Sequence, residues 1–314
     1  MSYHPRIESP KYSSFITTRS RNSELWFVNN ESLEKALLGY VAKFTNRYQV
    51  DLYAVAIEGN HMQLTAEFPH NNRANFMRDL NSCVARAVQR HCPSYPGGRF
   101  WARRYSQEFV PTNEDIEERF FYTTLQPVQD GLVERVSQYP HYNCFSDAVK
   151  GIKRKYKVVN WSAYYNAKRW NEDVSIEDFI EVVELVYKRL PGYEHLSKAE
   201  YVKKMQLKLN ERQEEIVQSR YRVGKRFLGV QGLKAVRAGD RPKKTKTSNI
   251  KSHRPRVLSK SNEARAQVKA WYFSLYFEYK DASKRYRGGE SNVRFPEGMY
   301  PPWRPSVPVV SVAP

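Results

Sequence analysis

The segment DLYAVAIEGNHMQLTAEF, Asp51 to Phe68, contains two strands and the turn between them. Its first part, with Val50 ahead of it, is a compact apolar run that reads as a buried strand ending at Ile57. Gly59 and Asn60 are turn residues. From His61 the chain alternates: Met62, Leu64, Ala66 and Phe68 are apolar, while His61, Gln63, Thr65 and Glu67 are polar. Successive side chains on a strand point to opposite faces, so the first set supplies core and the second shares the other face. His61 and Gln63 are neighbours on that second face. Two readings stay open: a plain polar strand face, or half of a shallow, open site for a divalent cation.

Working outward, Ser13–Arg21 reads as a strand, and NESLEKALLGYVAKFTNRYQ after it has helical spacing at Leu33, Leu37, Val41 and Phe44. A second amphipathic helix spans Asn71–Cys92 and is broken by PSYPGG. Arg99–Pro111 reads as a fourth strand rich in Arg and aromatics. TNEDIEERFFYTTLQP is a third helix, opened by Thr112 with Asp115 and stopped at Pro127. The first six elements follow the split βαβ order, which predicts an α+β fold over residues 1–150: a ferredoxin-like four-stranded antiparallel sheet with packed helices.

The remainder reads as a mostly helical C-terminal region. Residues 151–236 form a helical domain, with SIEDFIEVVELVYKRL and SKAEYVKKMQLKLNERQEEIVQSRYR as helix-period segments. Residues 237–260 hold nine Lys/Arg and one acid, Asp240, and read as a basic linker or arm that orders on nucleic acid. Residues 261–314 comprise a last helix, its aromatics running nearly all round, and a Pro-rich tail.

The chain has 314 residues, 52 Lys+Arg against 33 Asp+Glu, a net charge of +19 and 22 Tyr. That balance points to a phosphate-rich partner with bases available for stacking. Three cysteines without a CxxC pair point to neither a disulfide framework nor a zinc site, and fit a reducing cytoplasm. No apolar run is long enough to span a membrane, and the N-terminal residues do not resemble a signal peptide.

On the third helix Tyr122 and Gln126 stand four apart, one above the other. Gln126 offers a further neutral ligand and Tyr122 a hydroxyl nucleophile. A phenol with an ordinary pKa of about 10 needs a metal-polarised electrophile or a local base to react near neutrality.

These residues together resemble a known family. VAIEGNHMQLTAEF looks like the strand-turn-strand of the HUH nucleases, and Arg99–Pro140 is similar to the segment that follows it in single-tyrosine transposases of the insertion-sequence-200 type. The resemblance is closest to their REP-associated branch, on Tyr122, Gln126, Pro127, Val128, Gly131, Leu132 and Val133. RLPGYEHLSKAEY, FLGVQGLKAV and VRFPEGMY are similar to longer members. The resemblance implies that Tyr122 is the nucleophile and that His61, Gln63 and Gln126 hold Mg²⁺ or Mn²⁺. Gln63 is a departure, since the second ligand is usually His; an amide oxygen suits a hard cation.

It further implies a metal-dependent single-stranded DNA endonuclease and transposase that cleaves and rejoins DNA near hairpins through a 5′-phosphotyrosine intermediate. Arg19, Arg21, Arg103, Arg104, Lys243 and Lys244 are candidates to hold the DNA backbone, and Trp101 and Tyr105 to stack on bases. The expected partners are single-stranded or hairpin DNA, with a homodimer possible and no membrane, in the cytoplasm with the nucleoid. The alternative is a domesticated relative, catalytically weak or inactive, that only binds hairpin DNA or RNA.

Overall fold

The computed structural model describes residues 5–242 and 255–303. Strands β1 (Ser13–Arg19), β2 (Asp51–Glu58), β3 (His61–Glu67) and β4 (Ser106–Val110) form one antiparallel sheet in the order β2-β3-β1-β4. Helices α1 (Glu31–Tyr48) and α2 (Arg73–His91) lie on one face. Met62, Leu64 and Ala66 point there with no exposed surface, and Phe68 meets Phe76 of α2 edge to face. The alternation read in the sequence is thus the alternation of the sheet. The expected α+β class, with a four-stranded antiparallel sheet and packed helices, is what the chain adopts. The fourth strand is shorter than its sequence suggests, because Arg99–Tyr105 is irregular apart from a bridge between Trp101 and Ser20.

Helix α3 (Asn113–Thr124) crosses the other face. Its first turn is closed by Thr112, whose Oγ1 accepts from the Asp115 N–H at 3.2 Å. Its end differs from the sequence reading: the helix breaks at Leu125 (φ −90°, ψ 2°), and a separate turn, α4 (Gln126–Gln129), follows. Pro127 explains the break, since it lacks a backbone donor and disfavours helical geometry in the residue before it.

After α5 (Phe145–Lys150), a second sheet pairs β5 (Arg154–Val159) with β6 (Ile180–Leu185), and α6 (Trp161–Lys168) lies between them in sequence. The expected helix over SIEDFIEVVELVYKRL is therefore wrong. It is a short 3₁₀ turn, Ile176–Phe179, and then a strand. Ile180, Val182 and Val183 favour the strand once Arg154–Val159 is available to pair with it. This hairpin packs on the outer side of α1. A Cβ at Gly39 would stand 2.8 Å from Val158 Cγ2, so glycine is what lets α1 and β5 approach.

Helix α7 (Lys198–Arg222) docks on the α3–α5 side, and α8 (Gly229–Ala235) follows. Helix α9 (Asn262–Arg287) builds a separate small core with Ile7, Tyr12, Phe109 and Met299. Its aromatics are less buried than their sequence suggests: Tyr272 is enclosed, while Phe277 is exposed. Both outer strands of the main sheet have backbone neighbours. Lys188 N–H donates to Leu52 of β2 (2.7 Å), and Phe109 of β4 exchanges bonds with Arg256 and Leu258 (2.9 and 2.8 Å). The ends of the basic arm are thus seated on the domain; Lys243 and Lys244 lie outside the described residues, as does most of the Pro-rich tail.

Candidate active site

The site is built from the turn outward. Gly59–Asn60 joins β2 to β3 so tightly that Glu58 pairs directly with His61, and Ala56 with Gln63. On the other side β1 sets Arg19 against His61 and Thr17 against Gln63. Directly opposed residues of antiparallel strands share a face, so Glu58, Arg19, His61 and Gln63 all project toward α3. Asn60 fixes the turn by donating from its Nδ2 to Ser23 O at 2.9 Å.

His61 is oriented by its neighbour. Its Nδ1 lies 3.0 Å from Asn60 Oδ1, an acceptor, so the ring proton sits there and Nε2 keeps its lone pair. Nε2 faces the Gln126 amide nitrogen, which is placed to donate to it, while the amide oxygen points elsewhere in the enclosure. The break before α4 is what turns Gln126 inward, whereas Tyr122, one turn earlier, stays at the rim. Gln126, Gln63 and His61 are 4%, 5% and 6% exposed. A shallow, open site was expected, but α3 and α4 roof it. Gln63 Oε1 and Gln126 Oε1 are enclosed without a hydrogen-bond partner among the described residues. Buried acceptors without donors are costly, and a cation is one way to satisfy them. Among the described residues no group of three His, Cys, Asp or Glu forms a metal cage. The groups gathered here are one imidazole and two amides, whose oxygens suit a hard divalent ion, with Glu58 paired to His61 beside them.

Tyr122 is half-buried, its ring edge-to-face on Phe15 with centroids 5.7 Å apart. The Arg119 guanidinium sits 4.9 Å from the Tyr122 ring centre and 5.8 Å from that of Phe15. Beyond the turn, Tyr139 approaches Glu58: burial first, then the charges of Glu58 and Glu34, push its phenol well above the ordinary value and keep it neutral.

The candidate DNA contacts separate into groups. Arg19 is half-buried beside His61. The Ser20–Trp101 bridge, with Arg21 N–H donating to Phe100 O (2.7 Å) and Ala102 N–H to Arg19 O (3.0 Å), gathers exposed Arg21, Arg103 and Arg104 at the same corner. Trp101 is half-buried, packed on Phe100 and donating from Nε1 to Asn81 O at 2.9 Å. Tyr105 is a core residue, its ring covered by Arg6 at 4.1 Å, so it has no free face for a base.

Three features escaped the sequence reading. Glu58 could have been found, because a two-residue turn forces 58 and 61 to pair. Arg119 could have been found three residues before Tyr122. The third is the clamp on α3: Lys208 of α7 meets Glu117 at 2.6 Å, Arg212 reaches Glu118 and covers the Phe121 ring, and Lys260 reaches Glu118 at 3.5 Å. No spacing rule connects residues so far apart in the chain.

Residues 10–118 match the family model described as "Transposase IS200 like". The match contains His61 and Gln63 and ends four residues short of Tyr122. A Haemophilus influenzae protein described as a REP-associated tyrosine transposase is 25% identical over 130 residues, 36% of this chain and 73% of that protein. Two solved structures align with this fold. One, a REP-associated tyrosine transposase bound to a REP hairpin, has 18% identity and a TM-score of 0.39, covering 45% of this chain and 81% of that one. The other, described as a transposase of Deinococcus radiodurans, has 15% identity and a TM-score of 0.27, covering 34% and 85%. Among the described residues no helix is long and apolar enough to cross a membrane.

Proposed function

We propose that the IS200-like transposase domain matched at residues 10–118, with the α3–α4 segment after it, cleaves and rejoins single-stranded DNA beside hairpins. The observation that carries this reading is the contact between Gln126 and His61, which joins the end of the tyrosine helix to the sheet. His61 Nε2 and the amide oxygens of Gln63 and Gln126 would hold Mg²⁺ or Mn²⁺. When bound, the ion polarises a non-bridging phosphate oxygen and offsets the charge that develops on it.

The chain's own groups do the rest. Tyr122 attacks phosphorus, the bond to the 3′ oxygen breaks, and that oxygen leaves as a 3′-OH with a proton. The product is a 5′-phosphotyrosine, and attack by a 3′-OH reverses the step with no net loss of phosphodiester bonds. Arg119, whose guanidinium lies over the Tyr122 ring, holds that ring in place at the rim of the site. Arg19, Arg21, Arg103 and Arg104 border the site and hold the DNA backbone.

The test is incubation with labelled hairpin-bearing single-stranded DNA and Mg²⁺ or Mn²⁺, followed by a denaturing gel. A covalent adduct that disappears in Tyr122→Phe is the expected result. Tight binding with no adduct under either metal would refute cleavage. That outcome would instead support a protein that only binds hairpins, a reading favoured by one observation: the roof that α3 and α4 place over His61 and Gln63.

A further inference from the structure

The set His61, Gln63 and Gln126 contains no negative charge, and a neutral set of one imidazole and two amides is a weak holder of a hard dication. Beside it, on the same face, lies a carboxylate. Glu58 is paired with His61 across the turn, on the same face, and is 5% exposed. Its Oε1 is wholly enclosed. The turn that sets this pairing is held from both sides. Phe27 bridges to Gly59, Asn60 is tied to Ser23, and a Cβ on Gly59 (φ +48°) would stand 2.8 Å from Leu25. Glu58 therefore has little freedom to leave. An enclosed carboxylate held on this face supplies the negative charge that the three neutral groups lack.

We propose that Glu58 is a ligand of the divalent cation, the anionic donor of a His61–Gln63–Gln126–Glu58 site. The proposal rests on the metal-site reading above. It gives the unusual glutamine a physical context: His61 supplies the imidazole, Glu58 the charge, and the two amides fill out an oxygen-rich shell. Such a shell selects Mg²⁺ or Mn²⁺ over softer ions. The competing role for Glu58 is as ion-pair partner to Arg19, which lies on the far side of His61 on the same face.

Mn²⁺ binding to the full chain, followed by electron paramagnetic resonance and by the rise in thermal midpoint on adding Mn²⁺, decides between these roles without DNA or turnover. Glu58→Gln is nearly isosteric, and its midpoint in EDTA checks folding. The expected result is that wild type binds one ion, His61→Ala loses it, and Glu58→Gln binds at least about tenfold more weakly, since even outer ligand partners are worth that much. Adding Gln63→His to Glu58→Gln should restore part of the loss. If His61→Ala abolishes binding while Glu58→Gln stays within about twofold of wild type, Glu58 is not a ligand and the three-residue site stands. If wild type binds no Mn²⁺, the metal-site reading falls and this proposal with it.

Discussion

At the scale of single residues, the groups proposed to act in cleavage are divided between a roofed interior and a rim. His61, Gln63 and Gln126 are enclosed, and Tyr122 is half-buried with Arg119 against its ring. Arg119→Met should slow adduct formation about two- to fivefold, the worth of a cation–π contact of about 0.5–1 kcal/mol that holds the Tyr122 ring. Hairpin binding in a gel shift should stay within about twofold, and Arg119→Lys should fall between. Equal loss of binding and adduct would make Arg119 a general DNA contact. Much of this site is legible in the sequence. The alternation after Asn60 puts His61 and Gln63 side by side, and the four-residue interval puts Gln126 near Tyr122. Its depth is not legible, because the roof comes from a helix some fifty residues later in the chain. Tyr105 misleads for a related reason. It looks like part of an alternating strand, but β4 starts one residue after it, and Arg6 from the N-terminal segment covers its ring.

At the scale of elements, α3 is held from the C-terminal half of the chain. Glu117 and Lys208 are mostly buried, and Tyr193 donates to Glu117 as well. Lys208→Met should cost about 1–3 kcal/mol, the range for a charged hydrogen bond whose partner is left enclosed, measured by urea unfolding. Glu118 adds a pH dependence. Burial raises its pKa, but Arg212 and Lys260 more than reverse this, leaving it below the ordinary 4.5. A carboxyl depressed in the folded state stabilises fully above its unfolded pKa and loses that contribution as pH falls through the folded one. The gap in thermal midpoint between wild type and Glu118→Gln should therefore be constant near neutrality and close as the pH drops below about 4. A gap that does not narrow anywhere on the acid side would contradict this account. The β5–β6 hairpin marks the limit of reading elements from sequence. Residues 175–190 carry apolar positions compatible with either period, and only their partner strand and the bare surface of Gly39 decide for a strand.

At the scale of the whole molecule, charge and architecture point to one corner. The net charge of +19 is general, but Arg21, Arg103 and Arg104 concentrate part of it beside the His61 end of the sheet. If each of two arginines meets a phosphate, Arg103→Ala with Arg104→Ala should flatten the plot of log K against log salt by about 1.4, at roughly 0.7 per charge for single strands. The loss should be similar for different DNA sequences. An unchanged slope in fluorescence-anisotropy titrations would move the DNA path elsewhere. The order of the four-stranded sheet follows from local patterns, whereas the seating of the arm does not, since its basic run gives no apolar period to dock. That seating has a topological consequence. With Leu52 already accepting from Lys188 and Phe109 already bonded to Arg256 and Leu258, the backbone groups through which another chain could extend the sheet at those points are occupied. Growth by strand addition is closed at those points, so a further strand joining this sheet would have to pair elsewhere along its edges.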